Sequence, residues 1–180
     1  MAHQEQVDFC LSVKDRFPEL FKNATVVDIG SLDINGNNRY LFDNCNYVGI
    51  DIGEGKNVDI VSKGHEFTVT SKVDIVISSE CFEHDQYWDK TIKNIVENLL
   101  KKGGMFLFTC ATTGRAEHGT RKANAGCSPL TAITNGWEDY YLNLTEEDIR
   151  TAIDIDAYFA EYEFFVNTIS CDLYFWGLRR

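Results

Sequence analysis

The sequence predicts an α/β fold built on a mostly parallel sheet of seven strands. Two segments, residues 25–29 and 73–79, are β-branched and carry few charges, as expected for strands buried on both faces. Strand-like segments alternate with helix-like ones, which is typical of a parallel sheet. The chain has 180 residues and 44% apolar content, enough to bury a substantial core. We therefore expect residues 1–180 to form a single domain.

The first half of the chain supplies four of the predicted strands. Apolar residues at roughly helical spacing precede them, so residues 1–22 are expected to form an N-terminal covering helix, with its stripe running from 5 to 21. The strands follow at residues 25–29, 46–52, 58–61 and 73–79. A polar loop at 31–38 and a short helix at 38–45 separate the first two.

The second half of the chain supplies three strands and two helices. An apolar face predicts a helix over residues 89–100, which Gly103-Gly104 is expected to end before a fifth strand at 105–109. Thr145 is the predicted N-cap of the next helix. The chain closes with two strands, at 164–170 and 173–178.

Composition excludes several classes of protein. The chain has 17 basic and 28 acidic residues, a net charge of −11, which disfavours binding to nucleic acid or anionic membranes. No apolar run reaches the length of about 20 residues that spans a membrane, and the N-terminus lacks an apolar signal core. We therefore expect a soluble, cytoplasmic protein; the sequence carries no signal for an oligomeric state.

The cysteines do not form a recognisable metal-binding pattern. Six are scattered along the chain without a CxxC pair, and we expect free thiols. Cys81 lies three residues before His84, and Cys110, His118 and Cys127 share one region. Because neither spacing fits a common zinc pattern, the sequence predicts no metal site.

Acidic residues end two neighbouring strands of the predicted sheet. Asp28-Ile29-Gly30 closes the first strand and Asp51 closes the second. Ligands of parallel sheets bind beyond the carboxyl ends of the strands, and an acid at the second strand can accept hydrogen bonds from both ribose hydroxyls. In a pyrophosphate-binding G-x-G-x-x-G loop, Leu32 and Asn35 would be glycine, and no GK[ST] motif exists. The residues therefore favour an adenosine ligand without phosphate, and S-adenosylmethionine fits that description.

Taken in order, these motifs resemble those of class I S-adenosylmethionine-dependent methyltransferases with a type 11 methyltransferase domain. The matching pieces are Asp28-Ile29-Gly30, Gly36, Asp51, the VDIVISSECFEH segment at 73–84 and the LLKKGG segment at 99–104. The resemblance implies a three-layer, Rossmann-like sandwich whose seven-stranded sheet has an antiparallel C-terminal strand. It also implies methyl transfer to an oxygen or nitrogen nucleophile. Because the chain is short and acidic, we expect the acceptor to be a small molecule, with a protein or a nucleotide end as the alternative. One departure is that Leu32 and Ile34 replace later glycines of the family's first loop.

Cofactor-binding residues are expected at the strand ends and in the first loop. Asp28 and Gly30 are assigned to the methionine moiety, although an ordinary strand-to-loop turn is the alternative. Asp51 is assigned to the ribose and Ile52 to the edge of the adenine. The other expected contacts are Ser31, Asp33, Gly36, Ser79 and Glu80.

Acceptor-binding residues are expected in a substrate-side loop insertion at 111–143, which follows the fifth strand. His118 is the leading candidate for a general base because a histidine titrates near neutral pH. His84 is the second candidate base, with a packed side chain as the alternative. The predicted acceptor contacts are Thr112, Arg115, His118, Trp137 and Tyr141. Trp137 and Tyr141 can equally serve to pin the loop to the core.

Two other functions remain open at this point. One is a catalytically inactive cofactor-binding or scaffold protein with the same fold. The other is a nicotinamide oxidoreductase, which would need a phosphate-binding loop that residues 30–36 do not offer.

Overall fold

The computed structural model describes residues 3–180 and contains one seven-stranded sheet. Its strands are β1 (Thr25–Ile29), β2 (Asn46–Asp51), β3 (Ile60–Val61), β4 (Val73–Ser79), β5 (Leu100–Ala111), β6 (Phe159–Asn167) and β7 (Asp172–Arg179). Their spatial order is β3-β2-β1-β4-β5-β7-β6. Only β7 runs antiparallel to its neighbours. The predicted α/β fold, with a mostly parallel sheet and an antiparallel C-terminal strand, is confirmed.

Helices cover both faces of the sheet. They are α1 (Gln4–Arg16), α2 (Trp88–Asn94), α3 (Glu146–Ala152) and α4 (Ile155–Tyr158), with short 3₁₀ turns at Asn38–Leu41, Ala125–Cys127 and Thr131–Ile133. Side chains of α1 join one apolar cluster and side chains of α2, α3 and α4 join the other. Along β1, Val26 belongs to the first cluster and Val27 to the second, as the two-residue period of a strand requires. The result is the three-layer arrangement expected from the sequence.

The N-terminal helix is shorter than the predicted stripe. It ends at Arg16, where Phe17 leaves the helical region with φ −128°. Pro18 explains this end, because a residue that precedes proline is disfavoured in the α conformation. Leu20 and Phe21 still pack against the sheet, but from turns that follow the helix.

The predicted helix over 89–100 was wrong at its C-terminal end. Regular α-helix stops at Asn94, one π-helical turn covers Ile95–Leu99, and β5 starts at Leu100. Leu100 is fully buried and pairs with Val73, while the Lys101 ammonium forms an ion pair with Asp74. Because these contacts pair the chain with β4 from Leu100 onward, β5 begins before the glycine pair. Gly103 therefore lies inside β5 and does not end the helix.

The C-terminal part of the chain follows the prediction more closely. Thr145 caps α3 in a capping box with Asp148, as expected. The last two strands form a hairpin longer than predicted and shifted toward the N-terminus at β6. All six cysteines are free. Within residues 3–180, no helix combines the length and apolar character needed to cross a membrane.

Candidate functional site

A cavity of about 390 Å³ opens at the carboxyl ends of the parallel strands. Its wall includes Gly30 after β1, Asp51 and Ile52 at β2, and Ser79 and Glu80 at β4. The structure therefore brings together the strand ends that the sequence predicted to share a ligand. The volume lies in the range of about 300–1,000 Å³ found for small-molecule sites.

Asp28 lies in this wall as a buried carboxyl group. Tyr47 donates a short hydrogen bond to its Oδ2, and Asn38 Nδ2 approaches both carboxylate oxygens at 3.3 and 3.4 Å. Burial raises the pKa of Asp28 to about 7 despite these bonds. The group therefore titrates close to neutral pH, and a nearby cation would favour its charged form.

Asp51 closes β2 and joins that strand to the first loop. Its Oδ2 accepts the N–H of Leu32 at 3.0 Å and its Oδ1 accepts the N–H of Ile52 at 2.8 Å. Burial raises its pKa. Because each carboxylate oxygen can accept about two hydrogen bonds, Asp51 keeps acceptor capacity for a ligand in the cavity.

Gly30 is required at its position by two separate constraints. Its φ is +77°, and a side-chain Cβ there would lie 2.5 Å from the Cβ of Cys81. The backbone of Gly30 therefore passes close to the segment after β4, as only glycine allows. The loop that follows is fastened by Asn57, which donates to Ser31 O and accepts from the Ser31 hydroxyl through its own carbonyl.

Asp33 shapes the first loop from outside the cavity wall. Its carboxylate accepts from Gly36 N–H and Asn37 Nδ2 and pairs with Lys56 at 2.8 Å. The Lys56 contact holds the pKa of Asp33 at about 2. Ser31 and Gly36 do line the cavity. Asp33 therefore stabilises the conformation of the first loop, and this conformation places Gly36 in the cavity wall.

The segment after β4 carries Ser79 and Glu80 into the wall. The Ser79 hydroxyl donates to Asn38 Oδ1 at 3.3 Å, which links β4 to the Asp28 side of the cavity. Glu80 adopts a left-handed φ of +52° and is buried, and burial raises its pKa. Neither of its oxygens has a hydrogen-bond partner, and His3 Nε2 lies 4.0 Å from its Oε2.

The two candidate bases lie together at the edge of this region. The rings of His84 and His118 meet edge to face at 5.0 Å, and Tyr141 packs against both. Burial lowers the pKa of His84 to about 3 and also lowers that of His118. Both rings are therefore neutral at pH 7, and His84 would be a weak base toward a hydroxyl. His84 lines the cavity, whereas His118 and Tyr141 are not part of its lining.

The remaining predicted acceptor residues are divided between the cavity and the loop interior. Trp137 lines the cavity and packs edge to face on Tyr87. Thr112 is buried outside the lining, where its N–H donates to Cys171 O. Arg115 also lies outside the lining, bonded to Ser170 O at 2.5 Å and to Asp172 Oδ1 at 3.2 Å.

Sequence reasoning missed several residues of the wall. Asn38, in the wall, and Tyr47, outside it, both bond to Asp28. The sequence had placed Asn38 in a short helix and Tyr47 inside a strand, and neither position indicated this contact. The cavity is also lined by His3 and Gln6 from the start of α1, and by residues 127–131 of the loop after β5. The sequence carried one signal for this part of the wall, which is a polar residue, Gln6, at helical spacing from apolar residues of α1. The structure buries Gln6 to 2% exposure.

Comparisons with known proteins identify the fold. No family model and no curated protein matches the sequence. Among solved structures, 1,6-didemethyltoxoflavin-N1-methyltransferase of Burkholderia thailandensis, with bound S-adenosylhomocysteine, is 11% identical, with a TM-score of 0.64 over 97% of this chain and 77% of that chain. The N-terminal domain of EvdMO1, determined with S-adenosylhomocysteine and D-fucose, is 14% identical, with a TM-score of 0.62 over 100% and 85%.

A third neighbour agrees with these two. N-methyltransferase NodS of Bradyrhizobium japonicum, in complex with S-adenosylhomocysteine, is 14% identical, with a TM-score of 0.55 over 94% of this chain and 86% of that chain. The chain therefore has the fold of class I S-adenosylmethionine-dependent methyltransferases, as the resemblance of its motifs implied.

Proposed function

We propose that the chain binds S-adenosylmethionine in the cavity and transfers its methyl group to an oxygen or nitrogen nucleophile of a small-molecule acceptor. The observation that carries the proposal is the pair of carboxyl groups, Asp28 and Asp51, at adjacent strand ends in one cavity. The presence of S-adenosylhomocysteine in neighbours of the same fold supports it.

The residues of the wall fit this cofactor. Asp51 retains acceptor capacity for two ribose hydroxyls, and Ile52 beside it offers an apolar edge for adenine. Gly30 gives the ligand access to the backbone of the first loop. Asp28 and Glu80 supply negative charge for the methionine ammonium and the sulfonium, and both carboxyls become easier to ionise when a cation approaches.

The bound cofactor would supply an electrophilic methyl group that needs no further activation. The chain then has to hold the acceptor in line with that group and exclude water. We assign the acceptor side to the loop at 111–143, where Trp137 already lines the cavity. Thr112, Arg115 and Tyr141 would reach an acceptor only after movement of this loop.

Calorimetry followed by a transfer assay tests the proposal. S-adenosylhomocysteine is expected to bind the full chain with one site, whereas NAD is expected not to bind. A methyl-transfer screen with radiolabelled S-adenosylmethionine against a fractionated metabolite extract then identifies the acceptor. Binding of NAD without binding of S-adenosylhomocysteine would favour the oxidoreductase alternative. The antiparallel β7, inserted between β5 and β6, disfavours that alternative, because the dinucleotide-binding fold has the strand order 3-2-1-4-5-6.

A catalytically inactive cofactor-binding protein is the second candidate. The observation that favours it is that His118, the leading candidate base, is not part of the cavity lining. In that case S-adenosylhomocysteine binds but no fraction of the extract accepts a methyl group, including fractions of proteins and nucleotides.

We also propose that residues 1–180 act as one domain in the cytoplasm. The six free cysteines support a reducing compartment. Limited proteolysis that releases a stable fragment would contradict the first statement, and detection of the protein outside the cytoplasmic fraction would contradict the second.

A further inference from the structure

We propose that Glu83, His84 and His118 form a binding site for a divalent transition-metal ion at the carboxyl ends of β4 and β5. Each residue offers one ligand atom, and the three atoms lie within 4.8 Å of one another. Ligand atoms around one zinc ion lie about 3.4 Å apart, given tetrahedral bonds of about 2.1 Å. Small side-chain rotations therefore bring these atoms onto one ion.

Buried atoms without partners are the main observation behind this site. Both carboxylate oxygens of Glu83, both ring nitrogens of His84 and Nε2 of His118 are buried and have no hydrogen-bond partner. Glu83 is 0% exposed and His84 is 4% exposed. Folded proteins pair nearly all such atoms, so five of them in one place indicate a ligand that the chain does not itself supply.

The orientation of His118 suits a metal ligand. Its Nδ1 lies 3.0 Å from the carbonyl oxygen of Ala116. Because a carbonyl only accepts hydrogen bonds, this contact places the hydrogen on Nδ1 and leaves a lone pair on Nε2. Metal-binding histidines are commonly held in this way by a carbonyl on the far side of the ring.

The donor set selects the kind of ion. Two imidazoles and one carboxylate are typical of zinc and of other divalent transition metals, whereas magnesium prefers oxygen ligands and bound water. The buried carboxylate of Glu80 lies close enough to act electrostatically on Glu83. Two neighbouring acidic groups favour a doubly charged ion over a neutral ligand.

A second cluster has a similar composition but differs from the first because the chain itself supplies partners for its charges. His3, Glu80 and Asp172 also hold ligand atoms within 4.8 Å of one another. There, however, His3 Nε2 lies 2.8 Å from Asp172, and Arg115 approaches the other oxygen of Asp172 at 3.2 Å. The charge of Asp172 is thus balanced by the chain, and we assign no metal to this cluster.

Metal binding by the tag-free, chelator-treated full chain tests the proposal. Titration with Zn²⁺ is expected to show one site and to raise the melting temperature. His118→Gln is expected to weaken Zn²⁺ binding by at least tenfold, and Glu83→Gln, which keeps the side-chain shape, by a similar factor. His65→Gln is the matched control, because this partly buried histidine packs against Tyr87 outside the cluster. This variant is expected to bind Zn²⁺ as the unmodified chain does.

Cobalt and magnesium distinguish this site from other ways of binding metal. Co²⁺ bound by these residues is expected to show visible ligand-field bands without a sulfur-to-cobalt charge-transfer band. A strong charge-transfer band would assign the metal to cysteines, and equal affinity for Mg²⁺ and Zn²⁺ would contradict the donor set. Absence of any Zn²⁺ or Co²⁺ binding, or unchanged binding in both cluster variants, would overturn the proposal. These measurements do not depend on methyl transfer, so they test the metal site independently of the proposed function.

Discussion

The two sides of the cavity treat their buried carboxyl groups differently. On the β1–β2 side, Asp28 accepts hydrogen bonds from two side chains and Asp51 accepts them from two backbone N–H groups. On the β4–β5 side, Glu80 and Glu83 have no hydrogen-bond partner for any of their four oxygens. Both sides belong to one sheet and lie at the same edge of it.

The difference indicates which buried carboxyl groups the chain itself holds in place and which ones need a ligand to complete their contacts. A buried carboxyl group with partners is held in place before a ligand arrives. A buried carboxyl group without partners stays protonated or awaits a cation, and burial raises the pKa of Glu83 to about 8. The first side therefore provides a preformed half of the cavity, and the second side is the half that a bound group completes.

The largest expected effect is the pH dependence of stability that comes from Asp28. Burial, and more weakly Asp51, raise the pKa of Asp28 to about 7, while Tyr47, Asn38 and Arg39 act in the opposite direction. Since the unfolded chain releases this proton near pH 4, the folded state is the one that binds more protons between pH 4 and 7. Stability must then fall as the pH rises through this window, and Asp28 accounts for about 3 kcal/mol between pH 5 and pH 8.

Asp28→Asn tests this contribution because asparagine cannot ionise. Urea denaturation is expected to show a fall in stability from pH 5 to pH 8 that is about 3 kcal/mol smaller in the variant. Asp33→Asn is the control, since the pKa of Asp33 is held at about 2 and its contribution is constant over this range. An identical pH slope in Asp28→Asn and in the unmodified chain would show that Asp28 is already ionised at pH 5.

The next effect concerns Gly30, which brings the two sides of the cavity into contact. A Cβ at this position would overlap Cys81 on the β4 side, and φ is +77°. Gly30→Ala is expected to lower the free energy of unfolding by about 2–4 kcal/mol, from overpacking and backbone strain together. Gly136→Ala is the control, because φ there is +86° but no atom lies within 4 Å of its Cβ position. Equal losses in urea denaturation would assign the whole effect to φ.

The sequence predicted the β1–β2 side of the cavity better than the β4–β5 side, because local patterns define the first side. Hydrophobic runs correctly located β1, β2 and β4. The polar residues that end these runs located the edge of the sheet where Asp28, Asp51 and Ser79 line one cavity. These are local patterns, and strand pairing follows from them. The capping box at Thr145 was predictable for the same reason, because cap and partner lie three residues apart.

Contacts between distant segments could not be predicted in this way. The pairing of Arg115 with Asp172 joins a loop to β7, and nothing near Arg115 in the chain indicates it. The start of β5 at Leu100 depends on Asp74 and Val73 of another strand, which overrode the glycine pair as a stop signal. The approach of His118 to Glu83 and His84 likewise arises only when β4 and β5 pair.

The preformed side of the cavity is tested through Asp51. Asp51→Asn is expected to weaken the binding of S-adenosylhomocysteine by about 10- to 100-fold, since hydrogen bonds to a charged group contribute about 1.5–3 kcal/mol. Asp59→Asn is the control, because Asp59 also accepts a backbone N–H, that of Gly49 in β2, but does not line the cavity. Calorimetry that finds the same affinity in both variants would remove Asp51 from the ribose.

The smallest effect tests whether the β4–β5 side is truly short of partners. The Thr109 hydroxyl on β5 is fully buried and has no hydrogen-bond partner, so Thr109→Val removes an unpaired polar group at nearly constant shape. We expect the free energy of unfolding to rise by about 1 kcal/mol.

Thr91→Val is the control. Thr91 is as deeply buried as Thr109, but its hydroxyl donates to Asp85 at 2.5 Å. Thr91→Val is therefore expected to lower the free energy of unfolding by about 1–3 kcal/mol, because a buried carboxyl group loses a hydrogen-bond donor. Opposite signs in urea denaturation would support the comparison, whereas a loss in both variants would mean that Thr109 has a partner in solution, which water bridging to Glu80 would provide.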